Sequence, residues 1–140
     1  MPARPTFTNR LKKKFEQSKE NLKKTRKEEQ IISLTTDSWT SLKTDSYLTV
    51  TGHFIDNEWQ FQQRVLKTEF LGDKHTGENI AAHLKDIVEE YGIIAKVNAC
   101  VHNNAANVML VGRLCQEQHG WENVGCVAHT LQLAVNHAWP

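Results

Sequence analysis

One change of period does most to fix what this chain can become. Between Ile31 and Leu71 the sequence reads as three extended runs, and beyond them it repeats almost entirely at helical spacing. The clearest run, "SYLTVTGHFID", puts Leu48, Val50 and Phe54 on one face and Tyr47, Thr49, Thr51 and Ile55 on the other. That alternation, rich in β-branched and aromatic residues, is the signature of a strand. "IISLTTDSW" before it reads as a strand ending in an acid. "DNEW" behind it supplies a tight turn, because Asp56 and Asn57 tolerate positive φ, and "WQFQQRVLKTEFL" is the third strand. Three consecutive strands with short connections make an antiparallel meander.

The helical part begins at Thr76, an N-cap residue, after which Ile80, Leu84, Ile87, Val88 and Tyr91 mark one face and Gly92 supplies the C′ position. "KVNACV" reads as a short buried strand. Asn104 or its neighbour then caps a helix whose stripe is Val108, Val111, Leu114 and Cys115, ended by Gly120. "NVGCV" is a last short strand, and "AHTLQLAVNHAW" is a helix apolar on most sides that needs something to pack against. His75 and Thr76 need no role beyond starting a helix. Trp39 and Trp59 flank strands and read as core or rim packing rather than as stacking platforms.

Charge divides the chain. Residues 1–29 hold ten Lys or Arg against four Glu, a net of +6, while residues 30–140 hold seven against twelve, a net of −5. The basic part carries a narrow stripe of Leu11, Phe15 and Leu22 on a helix expected from Thr8 to about Glu28, with lysines on the other faces. Two readings stand. It is a solvated helix supported by pairs such as Glu20 with Lys24, or it is a phosphate-binding face whose Lys12, Lys13, Lys23 and Lys24 give weak, salt-dependent contact with DNA. No apolar run approaches the ~20 residues of a membrane span, and no apolar signal segment opens the chain. An intracellular chain with its three cysteines reduced is expected.

The element order, a basic helix and then β-β-β-α-β-α-β-α, is that of an RNase H-like α/β fold, in which the first and fourth strands are parallel neighbours. The blocks "ISLTTDSWTS", "YLTVTGHFID", "HTGENIAAHL", "NNAAN" and "CVAHTLQLAV" resemble the RNase H-like catalytic domain of hAT-superfamily transposases and their BED zinc finger relatives, from about Pro5 to Val135. The resemblance implies that Asp37 is the first catalytic acid and that the second acid falls at Asn103, with His102 where the family carries Thr. Cys126 and His129 match the family's C/D-x-x-H motif, which the resemblance associates with strand handling. The family's metal is Mg²⁺, and its third acid, a Glu, follows a long insertion that would come after Pro140. The expected architecture is therefore a basic lead-in helix over 1–29 and a truncated RNase H-like domain over 30–140.

An amide offers a cation one neutral oxygen and cannot neutralise it, whereas Mg²⁺ is held mainly by carboxylates and water. Asn103 thus predicts a catalytically disabled, transposase-derived chain that needs no cofactor and is nuclear. Its expected partners are DNA, bound weakly and without sequence preference, and a related transposase chain. The alternatives are an active metal-dependent nuclease in which His102 or Asn103 serves as ligand and another chain supplies the Glu, or a chain with no selected role. Cys115, His119, Cys126 and His129 give C-x3-H-x6-C-x2-H, a zinc-like spacing. Cys115 belongs to an apolar stripe and the loop is short, so no metal site is expected there.

Overall fold

The computed structural model describes residues 4–24, 31–42, 45–72, 76–103 and 106–138. In chain order these form α1 (Arg4–Lys24), β1 (Ile32–Thr40), β2 (Ser46–Ile55), β3 (Phe61–Leu71), α2 (Gly77–Glu90), a 3₁₀ turn (Ile94–Lys96), β4 (Val97–His102), α3 (Ala106–His119), β5 (Glu122–Gly125) and α4 (Val127–Ala138). The expected order of strands and helices is present. The lead-in helix starts at Arg4 rather than Thr8, which brings Phe7 into an i,i+4 row with Leu11 and Phe15. Residues 25–29 of that helix, His75 and the proposed cap at Asn104 lie outside the described residues.

The five strands lie in the order β3-β2-β1-β4-β5. β1 and β2, like β2 and β3, are antiparallel, while β4 runs parallel to β1 and β5 parallel to β4. Alternation gives the sheet two unlike faces. Ile32, Leu34, Leu48, Val50, Leu66 and Cys100 are buried and share one core with Ile80, Leu84, Ile87 and Val88 of α2 and Val111 and Cys115 of α3. Truncating any of the large aliphatics here would cost about 2–5 kcal/mol. Ser33, Thr35, Asp37 and Trp39 of β1 alternate with the core positions and stay half-buried or exposed.

Local chemistry explains where α2 starts and stops. Thr76 Oγ1 accepts the Asn79 N–H at 3.3 Å, and Gly92 adopts φ +65°. That conformation lets the Gly92 N–H reach Glu89 O at 2.9 Å and the Ile93 N–H reach Val88 O at 3.0 Å, satisfying carbonyls the helix would otherwise leave open.

Two features depart from simple alternation and burial. The β2–β3 register shifts between Val50 and Thr51, which pair with Lys67 and Val65, so Leu66 is an extra residue. The shift turns Leu66 into the core, and its carbonyl accepts the Tyr91 hydroxyl at 2.5 Å. Trp59 is not core. It sits in the hairpin turn at φ +59° and is 87% exposed. Asp56 imposes that turn: Oδ1 accepts the Glu58 and Gln60 N–H groups at 3.0 and 2.9 Å, and its carbonyl accepts the Trp59 N–H at 3.0 Å. The bonds to its carboxylate, that from the Gln60 main-chain N–H foremost, hold the Asp56 carboxyl below its ordinary value.

Candidate functional site

The parallel pairing of β1 with β4 decides what meets at the end of the sheet. Thr35 is level with Val101 and Thr36 with His102, so the same register carried one residue further sets Asn103 beside Asp37. Asp37 lies on the exposed face opposite Thr49, and Thr49 Oγ1 is 3.0 Å from Thr68 Oγ1. β5 ends at the same edge, where Gly125 is level with His102. The Cys126 N–H then donates to His102 O at 2.7 Å, and the Cys126 carbonyl accepts the N–H and hydroxyl of Thr130, each at 3.0 Å. α4, with half-buried Cys126 just before it and half-buried His129 in its first turn, therefore starts at the end of the sheet where β4 finishes, the end toward which Asp37 lies.

His102 does not belong to this exposed face. It is 4% exposed, turned toward α3, with Nδ1 2.7 Å from Asn103 O and Nε2 2.5 Å from Asn123 Oδ1. As a stand-in metal ligand beside Asp37 it fails, because alternation along β4 sends its ring to the other side of the sheet. A carboxylate and an amide remain at the paired strand ends, a donor set too poor in charge for the two-cation site implied by the resemblance. The residues do not fit Mg²⁺ pairs. The zinc-like spacing does not close either: among the described residues no three His, Cys, Asp or Glu side chains are placed to share a metal. Cys115 is buried in the core, where desolvation pushes its thiol up to about 11, and Cys100 is pushed by burial, with Cys115 adding, up to about 12. Neither supplies a thiolate at neutral pH.

An aromatic row lies beside Asp37 that the sequence blocks, though they contain Trp39 and Tyr47, did not bring together. Trp39 stacks on Tyr47 with centroids 4.6 Å apart, and Tyr47 meets Phe70 at 5.7 Å, so the row crosses β1, β2 and β3. Trp39 is rim packing. The signal was in the alternation of "SYLTV", which puts Tyr47 and Thr49 on the face of Asp37, yet the cross-strand partners required the register.

The lysines lie elsewhere. α1 runs beside the β2–β3 hairpin, at the far end of the sheet from Asp37, and a cleft of about 570 Å³ separates it from Phe54, Gln62 and Arg64. Lys19 is committed to Glu90 and lies 5.9 Å from the centroids of Phe15 and Tyr91. Lys12 and Lys13 are exposed, Lys23 approaches Glu20 at 3.9 Å, and the helix ends at Lys24.

A mixed five-stranded sheet of this order, with helices following β3, β4 and β5 and the candidate acid Asp37 beside Asn103 at neighbouring strand ends, defines an RNase H-like domain of the hAT-transposase type. Residues 35–125 match the model of the ZBED1 RNase-like domain, and the chain belongs to that family. Over 145 residues it is 28% identical to a putative transcriptional regulator, tpeD, of Talaromyces stipitatus, a match covering 97% of this chain and 17% of the relative. Over 113 residues it is 29% identical to a putative AC transposase of Zea mays, covering 73% of this chain and 14% of that protein. The zinc finger BED domain-containing protein DAYSLEEPER of Arabidopsis thaliana is 30% identical over 74 residues, 53% of this chain and 11% of the relative. The chain spans less than one-fifth of the length of these relatives. Among the described residues, no helix is long and apolar enough to cross a membrane.

Proposed function

We propose that this transposase-derived domain is catalytically disabled and acts by binding, through weak contacts between the lysines of α1 and DNA phosphates, in the nucleus. The observation that carries the reading is Asn103, a neutral amide one residue past the paired ends of β1 and β4 where the resemblance calls for a second carboxylate. His102 gives no compensation, since both ring nitrogens are engaged beneath the sheet. The names of the relatives, a transposase and a transcriptional regulator among them, support work on DNA. Metal binding tests the first half. Asn103→Asp should tighten Mn²⁺ binding about tenfold or more, since affinity follows ligand charge, and Asp37→Ala should abolish the gain. Mn²⁺-dependent DNA cleavage by the unaltered chain, absent in Asp37→Ala, would overturn the reading.

DNA binding tests the second half. Affinity should sit in the non-specific range of roughly 10⁻⁴ to 10⁻⁶ M and fall steeply with salt. Replacing Lys12, Lys13, Lys23 and Lys24 by Ala should weaken it and flatten the slope of log K against log salt by up to about 0.9 for each phosphate no longer neutralised. Sequence-specific binding, or a variant that binds as well as the parent, would refute it. A second reading, association with a related transposase chain, is favoured by α4: every residue from Leu131 to Ala138 is exposed, with Leu131 at 63% and Val135 at 51%. A monomer at high concentration in the presence of such a chain would count against it.

A further inference from the structure

Four segments converge on one residue, three of them on its imidazole. The His102 ring lies between the end of β4, Asn123 of β5 and Gly112 of α3, and its main-chain carbonyl holds the Cys126 N–H that opens α4. α3 can approach this closely only because position 112 lacks a side chain, since a Cβ there would overlap Asn123 Oδ1 and lie 2.6 Å from His102 Nε2.

The bonding determines the state of the ring. A carbonyl only accepts, so the 2.7 Å contact with Asn103 O requires a proton on Nδ1. If Asn123 Oδ1 also faced Nε2, the ring would carry two protons and a positive charge. His102 is 4% exposed and pairs with no acid among the described residues, so that charge would be buried uncompensated, at large cost. Oxygen and nitrogen of an asparagine amide are interchangeable by a half-turn. With Nδ2 toward the ring, Asn123 donates to Nε2 and His102 is a neutral Nδ1–H imidazole with both nitrogens satisfied.

We propose that His102, in this tautomer and oriented by Asn123, is a positioning residue that ties the Asn103 main chain and the start of α4 into one unit from beneath the sheet. Through it, β5 and α3 control the two segments of the candidate site that flank Asp37. This role goes beyond the binding function above and involves neither DNA nor metal, so the two stand or fall separately.

Nitrogen-15 spectra of the whole chain with labelled histidine test it directly. The expected spectrum shows His102 Nδ1 protonated and Nε2 unprotonated at neutral pH. Asn123→Asp, which when ionised can only accept, should draw a proton onto Nε2, a change that mere packing would not produce. Asn123→Ala should raise the exchange rate of the Cys126 amide about tenfold or more, as expected when a buried hydrogen bond is broken, while leaving the Ile80 amide at the start of α2 unchanged. An unprotonated Nδ1, an Asn123→Asp variant with an unaltered ring, an unchanged Cys126 rate, or equal loosening of Cys126 and Ile80 would each overturn the proposal.

Discussion

Gly112→Ala adds one methyl group where two polar atoms already stand. Judged by helix propensity alone the change should stabilise α3 by about 1 kcal/mol. The added carbon would overlap the Asn123 side-chain amide and meet His102 Nε2 at 2.6 Å, separations real Cβ contacts essentially never show, so the amide or the imidazole must move. Separating them leaves the buried imidazole nitrogen without its partner, at about 1–3 kcal/mol, and the half-buried Asn123 amide at a smaller cost, and overpacking adds about 1–3 kcal/mol. Relaxation recovers part of this, so after the propensity gain a net destabilisation of about 2–4 kcal/mol is expected. For a domain of this size that lowers Tm by roughly 10 °C. Gly52→Ala is the control, because a Cβ at position 52 meets the Ile32 and Leu66 side chains at an ordinary 3.6 Å. Urea titration of both variants gives the comparison. A Gly112→Ala protein as stable as the parent, or more stable, would show that the imidazole and amide are not locked beneath α3.

Trp59→Gly should stabilise the fold by about 0.5–1 kcal/mol in urea titration, since relief of a left-handed conformation outweighs the glycine entropy cost and the exposed indole gives up little packing. Tyr91→Phe should cost about 1–2 kcal/mol in the same assay, because it leaves the bulged Leu66 carbonyl buried without its donor. The Glu90 carboxyl is held below its ordinary value, chiefly by its hydrogen bond with Lys19, and Lys19 is raised in turn by Glu90. The attachment of α1 through this pair should be intact at neutral pH, weaken as pH falls below the ordinary carboxylate value of about 4.3, and weaken again above about 10.4. The Glu90 carboxyl signal followed by NMR would check this, and a titration matching free glutamate would contradict it.

Much of the fold was legible because it depends on single elements. Alternation in β2 assigned Leu48 and Val50 to the core and Tyr47 and Thr49 to the other face, and Thr76 and Gly92 bounded α2, since each signal is local to its own stretch of chain. The site was legible in part. Its segments could be ordered from the sequence blocks, but the inward turn of His102, its pairing with Asn123 and the space left by Gly112 depend on contacts between residues 10 or more positions apart. Spacing within one segment does not encode such contacts. Trp59 misled for a related reason: a large aromatic suggests burial, yet the Asp56 side chain imposes a turn that points it outward.

The extra residue in β3 also bears on how the molecule behaves among other chains. β3 is a terminal strand of 11 residues, long enough for its outer backbone groups to template a foreign strand. Leu66 divides it into Phe61–Val65 and Lys67–Leu71, whose side chains alternate out of phase with each other. A straight intruding strand in register with one half is out of register with the other, and Lys67 and Glu69 place charge beside the break. The same irregularity that seats a leucine in the core thus protects the open edge of the sheet from adding further strands.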